Sequence, residues 1–177
     1  MPERILDIAC GSRKVTGAIG TDWSRKSQAD VLADLSRTMP FKDSSFDRVV
    51  TNHFIEHVPD TPAFLREAVR MLKPGGLLEI RTTHYTGRSA WGHIEHKRTF
   101  SAAFAVSAVQ HSGLNLACEA VRLHWIDCNE RNRCLRNRLL SAIGDRLANA
   151  NVTLGDMFIA RWLGGFNEVY FRFRKTA

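Results

Sequence analysis

Three aspartates mark short apolar runs near the start of the chain, one within the first and two at the ends of the next two, in a spacing that suits a ligand site. Asp7 lies in Ile5-Leu6-Asp7-Ile8-Ala9-Cys10-Gly11-Ser12, Asp22 in Gly17-Ala18-Ile19-Gly20-Thr21-Asp22-Trp23, and Asp34 ends Ala29-Asp30-Val31-Leu32-Ala33-Asp34. A small-residue turn after a buried strand lets the backbone approach a ligand, and a carboxylate at the tip of the next strand can accept both ribose hydroxyl hydrogens. This is the layout of a nucleotide pocket in an open parallel sheet. Ala9 and Arg13 stand where a strict G-x-G-x-G carries glycine, and a plain turn between two core strands has similar residues. Histidines form the second chemical group. Asn52 and His53 follow a Val-rich run, while His84, Tyr85, His93, Glu95 and His96 crowd a later polar stretch. An imidazole can take a proton from a hydroxyl or amine near neutral pH. His53-Phe54-Ile55-Glu56-His57 also matches H-x-x-E-H, a zinc-protease pattern. Zinc there requires both histidines on one helical face, but Pro59 follows at once, so this reading is set aside. A metal held by several of the later histidines stays open as an alternative, but they lack a recognisable ligand spacing and none is assigned as a ligand.

The elements that position these residues follow from periodicity and punctuation. Arg4 to Ile8, Ala18 to Thr21, Ala29 to Asp34 and Phe46 to Thr51 read as strands. Thr61 is a good N-cap with Pro62 at the first helical position, and Phe64, Leu65, Ala68, Val69 and Leu72 recur at helical spacing. Lys73-Pro74-Gly75-Gly76 ends that helix before a fifth strand, Leu77 to Arg81. After a polar loop from Thr83 to Arg98, Ser101 caps a helix running to about Ser112, closed by Gly113. Leu114 to Leu123 and Glu168 to Arg174 are the last two strands. Roughly forty residues lie between them, well beyond an ordinary loop. This insertion, about 125–165, is predicted to be helical, with Cys134, Leu135, Leu139, Leu140, Ile143 and Leu147 as one apolar face. Met157, Phe158, Ala160, Arg161 and Trp162 predict a shorter second helix.

Further motifs fall in order along this frame. They are the D-x-x-C-G turn from Asp7 to Gly11, Pro40-Phe41-Lys42-Asp43-Ser44-Ser45-Phe46-Asp47, Glu56-His57-Val58 after the fourth strand, and the strand-helix-K-P-G-G-strand succession. With them the chain resembles the class I S-adenosylmethionine-dependent methyltransferases, in their small methyltransferase-domain branch, from Arg4 to about Thr83 and more weakly to Phe104. The resemblance implies an α/β, Rossmann-like fold: a mostly parallel seven-stranded sheet with an antiparallel last strand. It implies S-adenosylmethionine as cofactor, with Asp7, Ala9, Cys10, Gly11 and Ser12 forming the turn beside its methionine part. Asp22 then takes the ribose hydroxyls, Trp23 packs on the adenine, and Asp34 beside Leu35 accepts from the adenine amino group. Asn52 and His53 face the methyl group and the substrate. His84 and His96 are the foremost candidates for a base, with His53 a third; a polar loop held closed by hydrogen bonds explains the same cluster. His96-Lys97-Arg98-Thr99-Phe100-Ser101 is similar to a segment of the same branch. The expected acceptor is a small molecule or saccharide, methylated on a hydroxyl. No N-P-P-[YF] motif follows the fourth strand, which disfavours amino-group methylation of a base or glutamine.

The chain of 177 residues suits one domain, with no apolar run near the ~20 residues that span a bilayer. A strand begins almost at once, leaving no room for a signal peptide, and the four cysteines form no C-x-x-C pair. Both features suit a reducing cytoplasm. The net charge of +7 is concentrated at Arg122, Arg131, Arg133, Arg136 and Arg138, opposed by Asp127 and Glu130. A solvated helix face accounts for such a run; methylation of RNA or another polyanion is the alternative, not favoured on charge alone. A second alternative is a non-catalytic cofactor-binding scaffold. The front of the chain lacks the helices usual in the family, which would leave one sheet face bare. The inserted helices are expected to cover that face or to build a homodimer interface.

Overall fold

The computed structural model describes residues 2–35, 37–126, 134–160 and 165–176. Strands β1 (Ile5–Ile8), β2 (Ile19–Asp22), β3 (Val31–Leu32), β4 (Phe46–Asn52), β5 (Leu72–Thr83), β6 (Leu116–His124) and β7 (Glu168–Lys175) form one sheet. Their order is β3-β2-β1-β4-β5-β7-β6, parallel through β5 and antiparallel at β7. The order reverses between β1 and β4, and a crevice at such a switch point is where open α/β sheets bind ligands. The third strand is only two residues long, shorter than the expected 29–34 run. The fifth is longer than expected at both ends, because Leu72 pairs with Phe46 ahead of the K-P-G-G bend.

One sheet face carries the core. Leu6 and Ile8 of β1, Val49 of β4, Leu78 and Ile80 of β5 and Phe171 and Phe173 of β7 are fully buried there. Helix α1 (Thr61–Met71) packs Phe64, Leu65 and Ala68 into this layer. It starts one residue earlier than predicted: Asp60 is the N-cap, accepting from the Ala63 amide at 2.9 Å, while Thr61 is the first helical residue and is buried. A carboxylate at the N-cap satisfies an orphan N–H and complements the helix dipole. After a short helix α2 (Arg88–Gly92), α3 (Phe104–Gln110) is shorter than the predicted 101–112 helix. Ser101 does not cap it; the neighbouring Ala102 amide is held instead by Asp156 of the insertion, at 3.0 Å.

The second sheet face has almost no apolar cover. Its buried cluster is Ile5, Ala18 and Val50, with Val15 packed against them. Residues 9–18 and 23–30 hold turns and no helix, in keeping with the short front. Further across, register aligns Arg48, Glu79, Arg81, Tyr170, Arg172 and Arg174 into a charged and aromatic lattice. Arg172 pairs with Glu79 at 3.0 Å, and Arg81 and Arg172 both lie 5.9 Å from the Tyr170 ring centre.

Among the described residues the insertion does not roof this face, the first of its two expected roles. Helix α4 (Leu135–Ala150) runs along the outer edge of β6. The Asn149 side chain accepts from the Leu123 amide and donates to the Leu123 carbonyl, both at 2.8 Å, so it pairs with the open strand edge as a neighbouring strand would. The buried side of α4 is Ser141, Gly144 and Ala148, because small residues permit close approach. A Cβ on Gly144 would lie 1.9 Å from the Trp125 ring. The predicted apolar face is therefore the outer one: Leu135, Leu139, Leu140, Ile143 and Leu147 are exposed. Helix α5 (Val152–Leu154) continues into a π-helical turn, Gly155–Ile159, beside α3. Asp127, Cys128, Glu130, Arg131, Arg133, Arg161 and Trp162 lie outside the described residues.

Candidate active site

The C-terminal ends of β1, β2, β4 and β5 share one rim, and over it lies a cleft of about 460 Å³ lined by Ala9, Trp23, His53, Phe54, His57, Glu95 and Lys97. Larger hollows of about 550 and 570 Å³ flank α3, but neither is lined by any residue expected to hold the cofactor. The rim cleft is the candidate site because the turn, the acids and the histidines meet there.

The turn after β1 keeps the backbone of a glycine-rich loop with Gly11 its one glycine between Ala9 and Ser12. Ala9 has φ +57° and Gly11 φ +54°. The left-handed region costs an L-residue roughly 1–2 kcal/mol, so the fold holds Ala9 there against its preference. The carboxylates provide the hold. Asp7, 2% exposed, accepts from the Val15 amide at 2.8 Å. Asp22, 5% exposed, accepts from the Gly11 amide at 2.9 Å and the Ser24 amide at 2.8 Å, one on each oxygen. Burial pushes the Asp7 carboxyl above its ordinary range, opposed by the Val15 amide and the Lys14 charge. Each Asp22 oxygen accepts one backbone N–H and retains capacity for another donor, such as a ribose hydroxyl. Thr21, Thr51 and Thr83, at or beside the ends of β2, β4 and β5, bury hydroxyls that have no hydrogen-bond partner among the described residues. These features fit a nucleoside cofactor.

The other expected cofactor residues are distributed unevenly. Trp23 lines the cleft with its ring 78% exposed. Cys10 is buried under the turn and Ser12 is exposed beside it. Asn52 ends β4, exposed at the rim. Leu35 belongs to the core, while Asp34 faces outward and pairs with Arg37 at 3.1 Å.

The histidines divide into three environments. His53, at φ +52°, has one ring nitrogen 3.3 Å from Glu56 Oε1 and the other 2.7 Å from Glu168 Oε1. Glu56 and Glu168 are both fully buried, and Arg81 also reaches Glu168, at 3.3 Å. Burial raises the Glu56 pKa, but hydrogen bonds from His53, its own amide and Thr82 outweigh this and hold the carboxyl below its usual range. His53 is thus clamped as a donor at both nitrogens when the two carboxylates are ionised.

His84 is not in the cleft. It is fully buried, with Nδ1 2.6 Å from the Thr86 hydroxyl and Nε2 2.8 Å from Asp156 of the insertion. Both nitrogens serve the strap between the β5 loop and the π-helical turn. That partner, 72 residues away, gave no local signal in the sequence.

His96 does not line the cleft but packs against His57, which does, and meets two histidines in all. His93 stacks on it at 4.7 Å between ring centres, and His57 packs edge-on at 4.8 Å. Burial, together with the His96 and His93 charges, lowers the His57 pKa against the pull of Glu56. The sequence placed His57 in a pocket-shaping pair and His93 and His96 in a separate loop; the fold makes them one cluster. The two histidines of H-x-x-E-H turn to different partners, His53 to Glu56 and Glu168, His57 to the loop.

A family model described as a methyltransferase domain matches residues 16–80. Methyltransferase GfsG of Streptomyces halstedii is 32% identical over 198 residues, covering 88% of this chain and 69% of that protein. The 2-phytyl-1,4-naphtoquinone methyltransferase of Synechococcus elongatus is 33% identical over 108 residues, 46% of each chain. Against this and similar relatives, the match spans less than half of their length. In structure, an S-adenosylmethionine-dependent methyltransferase from Mesorhizobium loti superposes with a TM-score of 0.60 at 19% identity, covering 98% of this chain and 93% of that one. Among the described residues no helix is long and apolar enough to cross a membrane.

Proposed function

The chain belongs to the class I S-adenosylmethionine-dependent methyltransferases, and we propose that it methylates a hydroxyl of a small molecule entering the rim cleft over Phe54 and His57. One observation carries the reading: a single cleft joins Ala9 and Trp23 on the cofactor side to His53, His57, Glu95 and Lys97 on the other. The cofactor supplies an electrophilic methyl on a sulfonium, so the protein has chiefly to position, exclude water and receive a proton. Asp22 holds the ribose hydroxyls, and the strained turn from Ala9 to Gly11 presents its backbone to the methionine part. Asp7 and Asp22 together make this end of the cleft electronegative, which favours a cationic ligand.

On the acceptor side His53 is a positioning residue, because Glu56 and Glu168 occupy its nitrogens. The proton leaves to His96: its Nδ1 donates to the Ala90 carbonyl at 3.2 Å, so Nε2 carries the free lone pair. Phe54 favours an acceptor with an apolar or aromatic body. The named acceptor of the naphthoquinone relative is of that kind, so hydroxylated aromatic rings and quinols come first, ahead of saccharides.

Calorimetric titration of S-adenosylmethionine and S-adenosylhomocysteine is the test, with Asp22→Ala as control, followed by a panel of quinols, phenols and sugars read by S-adenosylhomocysteine release. Micromolar binding lost in the variant, with turnover on one acceptor class, is expected. Tight cofactor binding without release across the panel would favour the scaffold alternative, and loss of binding to RNA with rising salt would favour the polyanion one.

A further inference from the structure

We propose that His57, His93 and His96 form a binding site for a divalent metal ion of the zinc class at the mouth of the cleft. One ring nitrogen from each lies within 4.8 Å of the others. Each imidazole offers a lone pair from that nitrogen, and one cation set among them would be shared by all three.

An outer hydrogen bond supports the assignment. A metal-bound imidazole nearly always donates its other N–H to a carbonyl or carboxylate, which fixes the tautomer and aims the lone pair. His96 does so to Ala90. That carbonyl belongs to α2, just ahead of the loop that brings His93 and His96 across to the Ile55–His57 turn. The Lys97 amide fastens that loop to the Glu56 carbonyl at 2.7 Å, so the approach is set by backbone.

The cluster needs modest closure. Tetrahedral zinc at about 2.0–2.1 Å from each nitrogen places ligand nitrogens about 3.4 Å apart. His93 is the exposed member of the three, stacked on His96 on one side and open to solvent on the other, so its ring can make the adjustment. Three protein ligands leave the fourth position open, and His57 and Glu95 both line the cleft into which it would open. An acceptor hydroxyl taken there would have its pKa lowered by the ion and would release its proton to solvent at the open cleft, His96 then serving as a ligand and no longer as the base. This last step rests on the methyl-transfer reading; metal binding itself does not.

The test uses the full chain, free of any histidine tag and stripped with chelator, titrated with Zn²⁺ and with Co²⁺. Stoichiometric binding and the intense visible absorption of tetrahedral cobalt are expected. His93→Ala should abolish the cobalt band and weaken zinc binding by more than about tenfold. His93→Cys, which restores a ligand, should bring back a band at altered wavelength. Calorimetry with S-adenosylmethionine should be unchanged in both variants, which separates this site from the cofactor site and reports that the fold is intact. Absence of the cobalt band in the parent chain, or zinc binding equal in parent and His93→Ala, would overturn the proposal and leave the methyltransferase reading standing.

Discussion

The two halves of the sheet are held together by different physics. On the β5-β7-β6 side, long strands bury Leu78, Ile80, Phe171 and Phe173 beneath α3, and α4 seals the outer edge. On the β3-β2-β1 side the strands are two to four residues long, and the apolar cluster buried on their second face is, among the described residues, Ile5 and Ala18 with Val50 of the neighbouring β4. Carboxylates take over there. Asp7, Asp22 and Asp30 accept from the backbone amides of Val15, Gly11, Ser24 and Gly20, fastening turns where relatives by resemblance carry helices. Lys14 reinforces this by reaching both Asp30 oxygens, at 2.8 and 2.7 Å. The lesson is that the cofactor half trades apolar mass for directed hydrogen bonds. Its acids are therefore structural before any ligand arrives.

Substitutions should separate the two regimes. Phe171→Ala, in the packed half, is expected to cost about 3–5 kcal/mol in urea unfolding, since it leaves a cavity between α3 and the sheet. In the other half, Asp22→Ala strands two amides and should cost about 1–3 kcal/mol as well as cofactor affinity. Asp22→Asn, which keeps one side-chain oxygen, should recover part of the stability and little of the binding. If Asp22→Ala lost binding with no change in unfolding, the acid would be a ligand contact only and the contrast would fail.

Acid titration tests the seam between the halves, where Glu56 on the β4 side meets Thr82 of β5 at 2.8 Å. The folded Glu56 carboxyl titrates below its unfolded value of 4.5. Its contribution is then fully present above that value and is lost as the pH falls through the folded one. Glu56→Gln should flatten this acid limb of the stability profile; an unchanged limb would place the acid sensitivity elsewhere. The smallest effect is expected at the turn itself. Ala9→Gly releases a left-handed alanine and should gain about 1 kcal/mol or less, offset in part by the entropy of the unfolded glycine. A clear loss of stability would mean that the Ala9 methyl packs usefully in the cleft.

Much of the fold was legible because its signals are local. Val49 and Val50 between Phe46 and Thr51, the break at Lys73-Pro74-Gly75-Gly76, and the alternation from Val169 to Phe173 each specify an element within a few residues. The small-residue turn and the acids after β1 and β2 were legible for the same reason, since strand ends in a parallel sheet fall on one rim. Boundaries moved wherever a distant group intervened, as at Ala102, whose amide is claimed by Asp156.

What a side chain does depended on partners far along the chain, and only the tertiary structure supplied those. His84 looked like a base and is a buried strap, because residue 156 returns to meet it. The stripe of leucines on α4 looked like its buried face. Packing against a strand edge instead selects the small residues that let a helix come close, and the leucines turn outward. His57 looked separate from His93 and His96 because some forty residues of helix and strand lie between them. Hydrophobic period and turn chemistry encode where the backbone goes locally, so the sequence alone determined where the strands fall along the chain and which small residues and acids stand at their ends. Convergence of side chains is a property of the closed fold, and it was the structure that decided which histidines share a site.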